Sequence, residues 1–251
     1  MHAHPPSETD LKERGAFPPT RWSLVVTARG REENGAQAFE ALGHLCRIYW
    51  YPLYAFARRQ GWNVEDAQDL TQEFFARLIK KETLHEADRE RGRLRTFLLS
   101  CFTYFLADAR DQRNAWRRGG RTEIVTLEAE ECYASEAGHE LTPERLFNRR
   151  WALTLLQQAL DALALERAES GREHEMQVLL GFLDASGASG GADYEKAAAE
   201  LGWTVNATRV AVHRLRLRYR QVLHDQVAAT LESENPAMVK EEMQALLAAL
   251  A

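Results

Sequence analysis

The chain has 251 residues, of which 45% are hydrophobic and 27% charged, a composition typical of a soluble globular protein with room for one large domain or two small ones. No apolar run approaches the roughly 20 residues that a transmembrane helix needs. Residues 1–10 have neither the basic start nor the apolar core of a secretory signal, so we expect a cytoplasmic protein. Three widely spaced cysteines without a C-x-x-C pair argue against a disulfide framework and a zinc knuckle.

The formal net charge of −5 hides an uneven distribution of charge along the chain. Residues 89–121 contain nine Arg against three acidic residues, whereas residues 122–144 contain seven Glu and no Lys or Arg. Residues 203–220 contain five Arg and no acidic residue. Two basic blocks separated by an acidic one indicate two nucleic-acid contacts joined by a tether.

The first third of the chain predicts helices after a tail. Residues 1–17 are expected to be disordered, and Thr20 has the character of an N-cap for an extra N-terminal helix. Residues 36–60 predict a long helix in which Pro52 is a potential kink and which Gly61 ends.

The stretch from Asp66 to Leu78 carries two distinct stripes when it is drawn as a helix. One stripe is largely apolar and the other combines carboxylates with a Leu and an Arg, an array typical of a docking surface. Two alternatives stay open, namely a solvated acidic face that suits the helix dipole and a cation site formed by the carboxylates. The apolar stripe is Ala67, Thr71, Phe74 and Leu78, and the other is Asp66, Asp69, Leu70, Glu73 and Arg77.

A second informative helix is predicted from Leu94 to about Arg118. Guanidinium groups along one side neutralise phosphates, and aromatic side chains on a flank replace base stacking, which suits single-stranded or partly melted nucleic acid. The flanking aromatics are Phe97 and Tyr104, and the alternative is that they border the core, which we favour for Tyr104 and leave open for Phe97. The predicted core side is Leu94, Leu98, Cys101, Phe102, Phe105 and Ala109, and the basic side is Arg95, Arg110, Arg113 and Arg117.

The remainder of the chain predicts a linker, a second helical domain and an extension. Residues 18–120 form the first domain, 121–145 an acidic linker, 146–226 the second domain and 227–251 a helical extension. Residues 184–192 predict a flexible loop. The predicted core positions are Leu155, Leu156, Ala159, Leu160, Leu163, Met176, Leu179, Leu180 and Leu183 in the second domain, and Val239, Met243, Leu246, Leu247 and Leu250 on one face of the extension, which meets either the second domain or a partner.

Residues 193–224 have the pattern of a helix-turn-helix. Asp193 caps a short helix that Gly202 ends, and Thr204 caps a longer helix reaching about His224. A stripe of cationic and amide side chains at major-groove spacing suits the reading of base edges and phosphates, although a solubilising surface is the alternative. The buried stripe is predicted as Val212, Leu215, Tyr219 and Val222, and the exposed one as Asn206, Arg209, His213, Arg216 and Arg220.

These motifs resemble two conserved regions of the extracytoplasmic-function (ECF) sigma factors of bacterial RNA polymerase. Residues 36–120 resemble region two through the aromatic run 49–54, the motif Asp66–Phe75, the run Leu94–Leu98, and Asp108 with the arginines after it. Residues 194–216 resemble region four through Tyr194-Glu195, Leu201-Gly202 and the run 211–216. Trp is usual in the family where Phe97 stands, so the residues of the flipped-base pocket stay open.

The resemblance implies an all-α promoter-specificity factor with two DNA-binding domains, no catalysis, no cofactor and no metal. Its partners would be core RNA polymerase, through the β′ clamp and the β flap, promoter DNA, and an anti-sigma factor of the kind that holds many members inactive. The polymerase-binding residues would be Asp66, Asp69, Leu70, Gln72, Glu73 and Arg77. The minus-ten contacts would be Arg93, Arg95, Phe97, Arg110, Arg113 and Arg117, and the minus-thirty-five contacts Asn206, Thr208, Arg209, His213, Arg216 and Arg220.

Two rival functions remain at this point. A helix-turn-helix regulator that binds DNA without polymerase accounts for residues 193–224 but not for the surface of residues 66–78 or the acidic linker. A metal-dependent nucleic-acid enzyme would use Asp66, Asp69, Glu73 and Asp108, and it predicts cleavage that depends on a divalent cation.

Overall fold

Helices make up the regular structure of the computed structural model, which describes residues 35–80, 93–115, 133, 141–183, 190–231 and 235–251. No strand occurs in these ranges, and the predicted all-α class is confirmed. The helix predicted after Thr20 and most of the acidic linker lie outside the described residues. The helices are α1 (Gly35–Arg59), α2 (Val64–Lys80), α3 (Leu94–Ala115), α4 (Pro143–Glu169), α5 (Glu173–Leu179), α6 (Gly191–Leu201), α7 (Val205–Ala228) and α8 (Pro236–Leu250), with a 3-10 turn at Leu180–Leu183.

The described chain divides into two units. The first takes the described residues up to Trp151 together with those from Ala228 onward, and the second runs from Ala152 to Val227. Helix α8 therefore belongs to the same unit as α1, α2 and α3, which corrects the expectation that the extension meets the second domain or a partner.

Aromatic side chains fill the core of the first unit, where α1, α2 and α3 meet. The ring of Phe102 on α3 lies 5.0 Å from that of Phe74 on α2 and 6.2 Å from that of Phe56 on α1. Thr71 is tolerated in full burial because its hydroxyl donates to the Ala67 carbonyl at 2.7 Å. The apolar stripe predicted for α2 is confirmed, since all four of its residues are buried.

The turn between α1 and α2 sets where α2 begins. Gly61 has a φ of 92°, a left-handed conformation that favours glycine. Asn63 then caps α2, because its Oδ1 accepts the amide N–H of Asp66 at 2.7 Å. Helix α1 itself continues through Pro52.

The core of the second unit joins α4, α5, α6 and α7 around Leu163, Met176, Leu179, Phe182, Ala197, Val212 and Leu215. The prediction that Leu180 belongs to this core was wrong, since Leu180 is 42% exposed. The 3-10 turn has about 3.0 residues per turn, and this change of period rotates Leu180 away from the face that α5 buries.

Two predicted features of α6 also require correction. The helix already begins at Gly191, so residues 191–192 lie in it and not in the preceding loop. Asp193 is the third helical residue and not the N-cap, and its Oδ2 accepts the amide N–H of Gly190 at 2.9 Å. A carboxylate at this position still satisfies one of the amides that a helix start leaves open.

Helix α8 is capped by Asn235, whose Oδ1 accepts the amide N–H of Ala237 at 2.9 Å. Val239 and Leu246 are buried as predicted, whereas Leu247 is 62% exposed and was wrongly placed on the buried face. Among the helices of the described residues, none combines the length and the apolarity that crossing a membrane requires.

Candidate functional site

The turn between α6 and α7 has the geometry of a helix-turn-helix. Gly202 ends α6 at a φ of 67°, and the amide N–H of Trp203 donates to the Ala198 carbonyl at 2.8 Å. Thr204 caps α7 as predicted, because its Oγ1 accepts the amide N–H of Ala207 at 3.1 Å. These contacts fix the first turn of α7. The residues predicted to read DNA follow along this helix.

Burial of one side of α7 leaves its other side facing solvent. Val212 and Leu215 are each 1% exposed and lie in the core of the second unit, while Tyr219 is half-buried and donates its hydroxyl to the Leu156 carbonyl at 3.0 Å. Because the helix repeats every 3.6 residues, the opposite face is then set toward solvent. Asn206, Arg209, His213 and Arg220 are exposed there.

Three of the residues near this face are held by neighbours. The guanidinium carbon of Arg209 lies 5.6 Å from the ring centroid of Tyr194, which links α7 to α6. Arg216 is half-buried, and its Nε donates to the Phe182 carbonyl at 2.9 Å. Arg218 pairs with Glu166 at 2.8 Å, which lowers the pKa of the Glu166 carboxyl. The basic stripe is therefore partly tied to the protein itself.

Thr208 requires a correction to the predicted DNA contacts. Its side chain is fully buried, and its hydroxyl donates to the Thr204 carbonyl at 3.2 Å. A buried hydroxyl offers DNA no surface, so in this structure Thr208 stabilises the start of α7. The helical period places residue 208 about 40° from Val212 around the helix axis, and this could have been seen in the sequence.

A groove beside α7 is lined by arginines that were not among the predicted DNA contacts. Its volume is about 480 Å³, and it contains the half-exposed Trp203 and the exposed Arg214. The side chain of Arg167 is half-buried in the same groove and lies 3.7 Å from Glu175. The signal for Arg214 was present, since it is one of the five arginines of residues 203–220.

The residues of the acidic face predicted on α2 are exposed or half-buried. Asp69 and Glu73 are exposed and Asp66 is half-buried. Glu73 Oε1 accepts Arg77 Nε at 3.0 Å, and the Arg77 guanidinium carbon lies 4.9 Å from the ring centroid of Phe105. Leu70 is half-buried and Gln72 exposed on the same helix. The structure thus brings these six predicted residues onto one helix above a packed aromatic core.

Within the part of the chain that the structure describes, no three His, Cys, Asp or Glu side chains come close enough to hold a metal ion.

Helix α3 presents an aromatic residue and an arginine to solvent. Tyr104 is 75% exposed, so the interpretation that it borders the core was wrong. Arg110 is also exposed, and its Nη2 donates to the Gln60 carbonyl at 3.0 Å while its guanidinium carbon lies 5.5 Å from the Trp62 ring. Phe97 is half-buried. The side chains of Arg113 and Arg117 lie outside the described residues.

The arginines at the start of α3 are engaged by α8. Arg95 Nε lies 2.6 Å from Glu242 Oε1, and Arg93 Nε lies 2.9 Å from Glu242 Oε2. Arg95 also donates to Asn148 Oδ1, and its guanidinium carbon lies 4.7 Å from the Trp151 ring. Arg93 and Arg95, both predicted to contact DNA, therefore share the carboxylate of Glu242, a partner that the sequence did not indicate.

Comparison with known proteins finds a relative in a mycobacterium. The chain is 26% identical over 241 residues to the ECF RNA polymerase sigma factor SigE of Mycolicibacterium smegmatis. The similarity covers 92% of this chain and 81% of that protein. No family model matches the chain, and no solved structure matches it.

Proposed function

We propose that this chain, which belongs to the extracytoplasmic-function sigma factors of bacterial RNA polymerase, directs the core enzyme to promoters and assists their melting. The observation that carries this function is the extent of the similarity, which covers 92% of the chain and so includes parts of both units. Similarity confined to the helix-turn-helix would have supported only a DNA-binding regulator. We place the protein in the cytoplasm, where bacterial transcription occurs.

Helix α7 reads the minus-thirty-five element in this proposal. Its exposed residues Asn206, Arg209, His213 and Arg220 combine base-reading amide and guanidinium groups with phosphate-neutralising charge. Arg216 donates a hydrogen bond to the Phe182 carbonyl, so we assign it two roles. It positions α7, and it keeps a positive charge near the DNA backbone. Thr208 is left out of the contact set because it is buried.

Helix α2 binds the core enzyme through its exposed acidic face. The resemblance assigns this face to the β′ clamp. Asp69 and Glu73 supply exposed carboxylates, and Arg77 is held between Glu73 and Phe105 in a defined orientation. A side chain that is already ordered loses little conformational entropy on binding, which favours a specific interface. The β flap and an anti-sigma factor remain further proposed partners.

Helix α3 engages the melted minus-ten region. Tyr104, at 75% exposure, offers an open aromatic face on which an unpaired base can stack, and the exposed Arg110 lies on the same helix. This assignment adds Tyr104 to the contacts that the resemblance implied. The chain itself carries out no reaction in this proposal, since the polymerase supplies the catalysis.

Binding to purified bacterial core RNA polymerase tests the proposal. We expect the native chain to bind tightly and the variant Glu73→Lys to lose most of that affinity, because the reversal places a cation in the acidic face. The introduced lysine also faces Arg77 at i, i+4, and this like-charge pair costs only about 0.2–0.5 kcal/mol and leaves the helix folded. Circular dichroism checks the fold.

The matched control is Glu169→Lys, the same reversal at an exposed carboxylate of the second unit, and it should bind like the native chain. No polymerase binding by the native chain, together with tight binding to a specific duplex, would instead establish a regulator that acts without polymerase.

A further inference from the structure

Two carboxylates of α8 form ion pairs with the arginines at the start of α3. Glu242 uses both of its oxygens, with Oε1 at 2.6 Å from Arg95 Nε and Oε2 at 2.9 Å from Arg93 Nε. Glu241 adds a contact of 3.2 Å between its Oε2 and Arg93 Nη2. The Glu242 side chain is only 2% exposed, so this carboxylate is compensated by guanidinium groups and hardly at all by water.

Little of Arg95 remains available to another ligand in this arrangement. Its side chain is 11% exposed, and its guanidinium group contacts Glu242, Asn148 and the ring of Trp151. Arg93 is more accessible, with 34% of its side chain exposed. Both arginines are among the residues that we assign to the minus-ten DNA.

We propose that α8 is an autoinhibitory element in which Glu241 and Glu242 occupy Arg93 and Arg95 in place of DNA phosphates. The proposal rests on the proposed function, because it takes these arginines as nucleic-acid contacts. A carboxylate and a phosphate each present two oxygens that match the fork of a guanidinium group, so they compete for the same donors. DNA must displace α8 to reach Arg95, and a docked α8 weakens DNA binding.

The way in which α8 is anchored makes such displacement feasible. Its buried residues are Val239, Glu242 and Leu246, so one of the three depends on ion pairing. A buried carboxylate that loses its guanidinium partners is strongly destabilised where it lies. When phosphates take the arginines, Glu242 is expelled toward water and α8 loses a large part of its attachment.

A cavity beside the ion pairs gives an anion access to Arg95 while α8 is still docked. Its volume is about 270 Å³, and Arg95, Arg145, Asn148 and Arg149 line one part of it while Ala245 and Ala248 of α8 line another. Arg145 and Arg149 lie in the first two turns of α4, where the helix dipole also favours an anion. Displacement therefore begins at this cavity.

The test compares the affinity of the full chain for a fluorescent single-stranded DNA of mixed sequence, measured by anisotropy. Glu242→Gln removes the charge that holds Arg93 and Arg95, and we expect it to bind the oligonucleotide about fivefold more tightly or better. The matched control is Gln244→Lys, which adds the same unit of charge at an exposed position of α8 and should change the affinity much less. Unchanged or weaker binding by a folded Glu242→Gln chain overturns the proposal.

A second variant and a second measurement guard against misfolding of the buried substitution. Glu241 is 63% exposed, so Glu241→Gln should fold normally and should tighten binding by a smaller factor through Arg93 alone. Hydrogen exchange in the native chain should show the amides of α8 losing protection when the oligonucleotide is added. Full protection of α8 at saturating DNA contradicts displacement.

Polymerase binding separates this inference from the proposed function. A chain that binds core polymerase but shows no effect of Glu241 or Glu242 on DNA affinity keeps its function and refutes autoinhibition. A chain that binds DNA more tightly without these carboxylates but ignores polymerase keeps autoinhibition and refutes the sigma-factor role.

Discussion

The two arginine-bearing surfaces of this protein differ in what occupies them. On α7 in the second unit, Arg209 and Arg220 are exposed to solvent. At the start of α3 in the first unit, Arg93 and Arg95 are paired with Glu241 and Glu242 of α8. Both surfaces come from basic blocks of the sequence, yet only the first is open to a polyanion in this structure.

This difference shows that a charge pattern in the sequence locates cationic side chains. It does not show whether they are free to bind DNA or are already paired with carboxylates of the protein. Arg95 and Glu242 are 147 positions apart, so no local pattern could pair them. The two arginine surfaces also differ in how strongly the fold depends on them. Removing an exposed guanidinium group changes stability little, whereas removing one partner of a buried ion pair leaves a charge without compensation.

The largest effect on stability is expected from Arg95→Ala. This change leaves the buried Glu242 with one guanidinium partner fewer, and breaking such a pair costs about 3–5 kcal/mol. We expect the docked position of α8 to be lost at about that cost, and hydrogen exchange of α8 in the full chain measures it.

Arg209→Ala is the matched control on the open surface. Its effect on stability should stay within about 0.5 kcal/mol. Equal losses in the two variants would break the distinction between an occupied and an open arginine. Restoration of α8 protection in the double variant Arg95→Ala with Glu242→Gln would sharpen this distinction, because the buried charge that lost its Arg95 partner is then gone.

A smaller effect, on binding and not on stability, is expected from Arg209→Ala. If this side chain reads a base edge, the variant loses about 1–3 kcal/mol of affinity for its minus-thirty-five duplex and relaxes specificity at one position. Anisotropy with a series of duplexes substituted one base pair at a time measures both quantities.

Arg218→Ala serves as the control for Arg209, since it removes a cation of the same helix that is already paired with Glu166. We expect it to weaken binding less than Arg209→Ala. A loss for Arg209→Ala that is uniform across all duplexes would demote this residue to a phosphate contact.

The sequence predicted the helices and the faces that periodicity defines. The stripes of α2 and α7 were visible because each helix buries one side with a repeat of 3.6 residues, as the burial of Phe74 and Val212 bears out. Periodicity failed at Leu180, where a 3-10 turn changes the repeat. The N-cap prediction failed at Asp193, because the third helical position and the N-cap favour similar residues.

The candidate site was predictable in its exposed parts and less so where distant segments meet. The exposure of Glu73 and Arg209 follows from their place on an amphipathic helix. The exposure of Tyr104 does not, since an aromatic residue at the border of an apolar stripe can fall on either side. The engagement of Arg95 depends on where a helix near the end of the chain lies, and only the tertiary fold determines that.

The smallest effect is expected at the ion pair between Arg218 and Glu166. This pair lies at the surface, so it can be compared with the buried pair of Arg95. The Glu166 pKa is lowered by the hydrogen bond from Arg218, so the pair stabilises the folded state above the ordinary carboxyl pKa of 4.5 and loses that contribution as the pH falls through the lower folded-state pKa. Both side chains are more than 40% exposed, and such pairs contribute about 0.2–1 kcal/mol.

Chemical denaturation should therefore find Glu166→Gln slightly less stable than the native chain at neutral pH, with the difference vanishing in acid and shrinking at high salt. A difference that stays constant from neutral to strongly acidic pH would show that the carboxylate contributes through packing and not through its charge, and the contrast with Arg95 would then rest on burial alone.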